Sequence, residues 1–222
     1  MKIAHLLAGL ILCSTLHAKS IAESSLDADE WLTAPSPDVS EVNEGELVFF
    51  SAIPPGGPFH HHQNWLTITP NSLTTGWVTF EQCHDHLDAV PRTEIAFREG
   101  RARKLVVTET SGIDKTWVER TSVQLEGISS GARLCLAGEL KLVTQMSDGR
   151  LVLKSGPYMR RFLDGYYPMR VSLRVSQNNL STNIELVHPE PTNGLVVHRN
   201  GDGLDIEALF EGRLLLEFEL DN

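Results

Sequence analysis

The chain reads as an all-β protein, an antiparallel β-sandwich or open barrel preceded by a cleaved signal peptide and a mobile acidic leader. Three observations predict the class. Apolar residues recur with period two over short runs, the runs are separated by Gly, Asn, Asp and Pro, and almost no window keeps the helical period beyond two turns. No block repeats at a fixed period, which disfavours solenoids and propellers.

The first element is a targeting segment. Met1-Lys2, the apolar stretch Ile3 to Leu12 and the small residues Ala18 and Ala22 predict a secretory signal peptide over 1–22, with Ser20 and Ala22 at the two small-residue positions before the cut. Cys13 follows the bulky Leu12, so a lipid anchor there is the lesser reading. No other segment is long and apolar enough to span a bilayer. Residues 23–44 place Glu23, Asp27, Asp29, Glu30, Asp38, Glu41 and Glu44 among Ser, Pro and Ala, the composition of a flexible leader. A single β-domain is expected over 45–222, starting near Glu46 to Phe50.

Within that domain the elements follow in order. Pro54-Pro55-Gly56-Gly57-Pro58 is a loop, and Trp65 to Thr69 is extended. Val123-Gln124-Leu125 and Ala132 to Leu136 read as two strands joined by a Gly/Ser turn. Ser147-Asp148-Gly149-Arg150 and Asn200-Gly201-Asp202-Gly203 each have the chemistry of a tight reversal between strands. One helical turn is expected near Pro157 to Leu163. Met169 to Ser176 alternates Val171, Leu173 and Val175 with Arg170, Ser172 and Arg174, a half-buried strand with a basic outer face. Leu204, Ile206, Ala208 and Phe210, then Leu214, Leu216, Phe218 and Leu220 after Glu211-Gly212, read as a hairpin.

Charge and cysteine usage narrow the partners. A net charge of −10 over 222 residues argues against a nucleic-acid partner held through its phosphates. Loss of the signal peptide removes Cys13 and leaves Cys83 and Cys135, which in an oxidising compartment are expected to pair. Closing the loop between positions 83 and 135 is worth roughly 4 kcal/mol on chain-entropy grounds.

Five of the nine histidines fall between positions 60 and 86, as His60-His61-His62 and then His84 and His86 in Cys83-His84-Asp85-His86. Neutral imidazole is a common ligand for zinc and copper. On extended backbone His60 and His62 share a face with Leu66 and Ile68, His61 points away, and His84 and His86 share a face opposite Cys83. Two such pairs on neighbouring strands supply an all-imidazole zinc or copper site, His60, His62, His84 and His86, with Asp85 or Asp88 placed to orient a ring. His188 and His198 lie far along the chain and are weaker candidates.

A second constellation runs from Gly156 to Arg170 and holds all three tyrosines with Arg160, Arg161 and Arg170. Arg160, Arg161, Tyr166, Tyr167 and Arg170 are the residue types that recognise a carboxylate, a glycan or a protein surface, and equally those that pin a β-sandwich corner. Gly127-Ile128-Ser129-Ser130-Gly131 matches the letters of a nucleophile elbow but lacks the strand-to-helix context that chemistry requires. The reading favoured is an exported, non-catalytic binding or accessory protein that takes a metal ion through its histidines. The alternatives are a protein or glycan interaction module on the Arg/Tyr surface, and a metal-dependent hydrolase with three histidines and a water at an open site.

Overall fold

The computed structural model describes residues 43–55 and 58–221. The expected signal peptide, Cys13 and the leader through residue 42 lie outside the described residues. The strands are β1 (Val48–Phe49), β2 (His61–Ile68), β3 (Trp77–Leu87), β4 (Val90–Ala96), β5 (Ala102–Glu119), β6 (Ser122–Lys141), β7 (Val143–Gln145), β8 (Leu151–Tyr158), β9 (Arg160–Phe162), β10 (Gly165–Tyr167), β11 (Met169–Gln177), β12 (Asn183–His188), β13 (Leu195–Asn200), β14 (Gly203–Glu211) and β15 (Leu214–Asp221). One short helix, α1 (Pro70–Thr75), lies between β2 and β3.

Nine strands form one sheet in the order β1-β14-β11-β2-β3-β6-β4, with β13 also on β14 and β5 also on β6. A second sheet has the order β12-β15-β8-β7, and β9 with β10 forms a separate ribbon. Pairing is antiparallel except between β2 and β11, which run parallel with His62 level with Val171. The fold is therefore all-β and mostly antiparallel, as the alternation predicts.

One cluster of buried side chains draws on both sheets. Leu66, Phe80, Leu136, Leu173 and Phe210 come from the large sheet, and Leu153, Leu216 and Phe218 from the small one. Burying each such side chain is worth about 1.5–3 kcal/mol, so this shared core is the main force joining the sheets. The predicted alternation in β11 holds, with Met169, Val171, Leu173 and Val175 buried and Arg170 and Arg174 exposed. Both predicted reversals also hold: Gln145 pairs with Leu151 across the Met146 to Arg150 loop, and Asn200 pairs with Gly203 across Gly201-Asp202.

Three local expectations are corrected. The Leu204 to Leu220 segment is not a hairpin, because β14 pairs within the large sheet and β15 within the small one. Both stripes must face one core, and a chain that crosses between sheets keeps the same alternation as one that folds back. Val123 to Leu136 is one continuous strand and not two. Gly127 (φ 66°) and Gly131 (φ 79°) bend it, Gly112 (φ 70°) bends its neighbour β5, and the β5–β6 register shifts between Ser111 and Ile113. The turn near Pro157 to Leu163 is strand, because Tyr158 pairs with Leu214 and Arg160 to Phe162 pair with Gly165 to Tyr167, so tertiary pairing overrides local tendency. The helix that does form, α1, starts on Pro70, has Ser72 Oγ accepting from the Thr69 N–H at 3.0 Å, and ends on Gly76 at φ 80°.

The crossing between sheets makes a specific demand at Gly212, whose φ is +93° and where a Cβ would collide with the Glu46 carbonyl oxygen. Gly149, at the β7–β8 reversal, has φ +89° but nothing within 4 Å of an added Cβ. Gly149→Ala therefore carries only left-handed strain of roughly 1–2 kcal/mol, whereas Gly212→Ala adds a steric clash. Urea unfolding should show Gly212→Ala to be the more destabilising of the two by at least ~1 kcal/mol; equal midpoints would refute the constraint.

Candidate functional site

Register builds a polar block into the inner face of the large sheet. In the β2–β3 pair His62 stands opposite His84 and Asn64 opposite Gln82, while the next inward pair along is Leu66 with Phe80. The same rows continue into Val171 and Leu134 beside the histidines, and into Leu173 and Leu136 beside the amides. His84, Gln82 and Asn64 are 6%, 3% and 4% exposed. Four polar side chains thus occupy positions that are apolar elsewhere in the same stripes. From the small sheet, Tyr158 closes over them with its ring edge-on to His62 at 5.0 Å between centroids.

Two hydrogen-bonded chains run through the block. Gln82 Nε2 meets His84 Nε2 at 2.8 Å, and His84 Nδ1 meets His60 Nε2 at 2.9 Å. When the Gln82 amide donates, His84 carries its proton on Nδ1 and donates it to His60. In the second chain, Asn64 Nδ2 donates to the Tyr158 hydroxyl at 2.9 Å, and that hydroxyl shares a hydrogen bond with Ser155 Oγ at 2.7 Å. Two buried atoms in the block have no partner among the described residues, His62 Nε2 and Asn64 Oδ1. An unsatisfied buried polar atom costs about 1–3 kcal/mol, so each needs an explanation.

The three rings lie close together. Centroids are 4.3 Å apart for His62 and His84, 5.2 Å for His60 and His84, and 6.4 Å for His60 and His62. Burial is the main reason that all three are held neutral: it lowers His60 to about 4 with help from Arg160, lowers His62 to about 3, and takes His84 well below the ordinary value, the neighbouring rings adding to the effect. Burial also pushes the Tyr158 phenol up, so it stays protonated.

Of the four predicted ligands the structure brings together His60, His62 and His84. His86 is exposed and adopts φ 58°, at a register shift between His84 and Leu87 that ends the alternation. His61 faces the other side, as predicted, with its Nε2 2.7 Å from Ser172 Oγ. Cys83 and Cys135 stand directly opposite each other across β3 and β6, their Cα atoms 4.1 Å apart and their sulfurs at bonding distance. Asp85 binds Arg133 and Gln63 on that outer face and orients no histidine.

The Arg/Tyr constellation meets the histidines at one point. Arg160 holds Asp88 through two bonds of 2.7 and 3.1 Å, lies over the Phe162 and Tyr167 rings, and acts electrostatically on His60 together with Asp88. Tyr167 donates to Asp164 at 2.6 Å, Arg170 to Glu207, and Arg161 lies over Tyr166. Asn64, Gln82 and Ser155 were not singled out from sequence, and Tyr158 only as one of the three tyrosines of the Gly156 to Arg170 stretch. For the two amides the signal was present, since both sit two residues from a clustered histidine on the same face. Ser155 and Tyr158 come from the other sheet and carry no such mark.

Among the described residues, no set of three or more His, Cys, Asp and Glu side chains closes around a single point as metal ligands do. No histidine among the described residues lines the cleft between α1, the end of β6 and the start of β8. The neutral rings make the fold acid-sensitive. Because folding depresses these pKa values, their contribution is complete above about pH 6.5 and is lost as pH falls through that value towards 4, by up to roughly 1.4 kcal/mol per pH unit for each histidine. Denaturation midpoints of the metal-free protein should drop steeply from pH 6.5 to 4.5, and less so in His62→Gln; a flat profile would contradict the burial. The sequence matches no protein-family profile and shows no significant similarity to a curated protein.

Proposed function

We propose that the chain is an exported β-sandwich that acts as a non-catalytic binding or accessory protein and takes up one zinc or copper ion through His60, His62 and His84. The observation that carries this reading is the pair His60 Nε2 and His84 Nδ1 at 2.9 Å, with the ring of His62, whose Nε2 has no partner among the described residues, centred 4.3 Å from that of His84. An ion 2.0–2.1 Å from two nitrogens at that separation subtends roughly 90°, and widening to the tetrahedral spacing takes only about 0.4 Å. Neutral imidazole is the ligating form, and burial supplies it at every pH above about 4–5. For His84 Nδ1 to ligate, its Nε2 must carry the ring proton, and the Gln82 amide would orient the ring by turning to present its oxygen as acceptor.

Export rests on the signal-peptide pattern at 1–22 and agrees with a cross-strand cysteine pair. No helix among the described residues is long and apolar enough to cross a membrane. The Arg/Tyr surface is the second reading for a partner, and Arg161 with Tyr166 is its part least occupied by carboxylates.

Titration of the mature protein with zinc and with copper(II) against a competing chelator is the test. One equivalent should bind, with affinity falling at least tenfold in each of His60→Ala, His62→Ala and His84→Ala and staying unchanged in His86→Ala, all checked for folding by circular dichroism. No uptake of either metal, or equal affinity in the four variants, would reject the site.

A further inference from the structure

A second feature lies in a different part of the molecule. Where the chain leaves β6 for the small sheet, at the opposite end of β3 from His84, a cleft of about 800 Å³ opens between α1, the turn before β5, the end of β6 and the start of β8. That volume is in the range of small-molecule sites. Leu73, Val143 and Leu151 supply apolar wall, and Thr74, Thr144 and Gln145 supply polar side chains.

Charge is what distinguishes the cleft. The full chain carries 29 acidic residues against 19 basic ones, yet among the described residues the cleft lining includes Arg101 and Lys141 and no carboxylate. Neither cation is in an ion pair among the described residues, whereas the nearby Arg103 and Lys104 are both held by Glu139. Arg101, although exposed, is also hydrogen-bonded to the neighbouring strand. Its Nη1 donates to the Lys141 carbonyl at 3.1 Å, and the Lys141 N–H donates to the Arg101 carbonyl at 2.9 Å, so the guanidinium is tied to the strand that bears the second cation. A guanidinium and an ammonium that line one cleft can together bind an oxyanion, the guanidinium offering paired N–H groups and the lysine a point charge.

We propose that this cleft binds a small organic anion, its carboxylate or phosphate oxygens held by Arg101 and Lys141 and its body lying against Leu73, Val143 and Leu151. The proposal is independent of the histidine site. Isothermal titration of the mature protein with citrate and with glucose 6-phosphate at low ionic strength separates carboxylate from phosphate, and glycerol serves as the neutral control. At least one anion should bind with Kd below about 1 mM, weakening tenfold or more in Arg101→Ala and in Lys141→Ala, while Arg103→Ala and His62→Ala leave it unchanged. Absence of binding by both anions, undiminished wild-type affinity in Arg101→Ala or in Lys141→Ala, or an equal loss in Arg103→Ala would overturn it, the last by showing a diffuse basic surface instead of a site. Thermal unfolding of each variant without ligand confirms that a lost signal reflects the cleft and not the fold.

Discussion

The alternation of β3 ties the two faces of the large sheet to each other. Cys83 and Asp85 point outward, and Gln82 and His84 point inward. On the outer face Cys83 meets Cys135 on β6, with Arg133 beside it, and that pairing allows only one register between the two strands. A slip by one residue would turn His84 out and Cys83 in. With that register in place, β2 sets His62 against His84 and Asn64 against Gln82. The link on one face thus decides which polar groups meet on the other, and the small sheet then covers them with Tyr158.

This dependence explains what was legible in the chain. Period two placed His60, His62 and His84 on one side and His61 and Cys83 on the other, because a residue's face on a strand follows from its position alone. It failed at His86, where a positive φ and a register shift break the period, and nothing local in Cys83-His84-Asp85-His86 announces the break. The same limit accounts for the false hairpin at Glu211-Gly212: alternation reports which side is apolar, not which sheet a strand joins. Pairing of β2 with β11, parallel and distant in sequence, likewise left no mark in either strand. The helix at Pro70 was missed although Thr69-Pro70, Ser72 and Gly76 carry its start and stop signals, because the helical expectation was placed at Pro157 to Leu163.

The two constellations read separately in the sequence are one neighbourhood in the fold. The β9–β10 ribbon brings Arg160 and its partner Asp88 up to His60, the ring at the outer end of the histidine chain. Arg160 adds to the lowering of the His60 pKa while Asp88 opposes it. The charge seen by the outermost imidazole is therefore set by an ion pair and not by a single residue, and burial decides its state. The tyrosines divide in the same way: Tyr158 belongs to the interior, and Tyr167 engages Asp164 at the surface.

The energetic question is why a core should contain such a block at all. A polar network with every group satisfied is compatible with a purely architectural role, since it rigidifies the core and costs little. This one is incomplete. One chain ends on His60 and the other leaves Asn64 Oδ1 unpaired, while His62 Nε2, between them, has no partner among the described residues. Leu or Val at these inward positions, as in the adjoining rows, would remove both penalties and add apolar burial. A strand pair forgoes that stabilisation twice, at directly neighbouring rows and beneath a closing tyrosine, and the proposed metal site would give that cost a reason which packing alone does not.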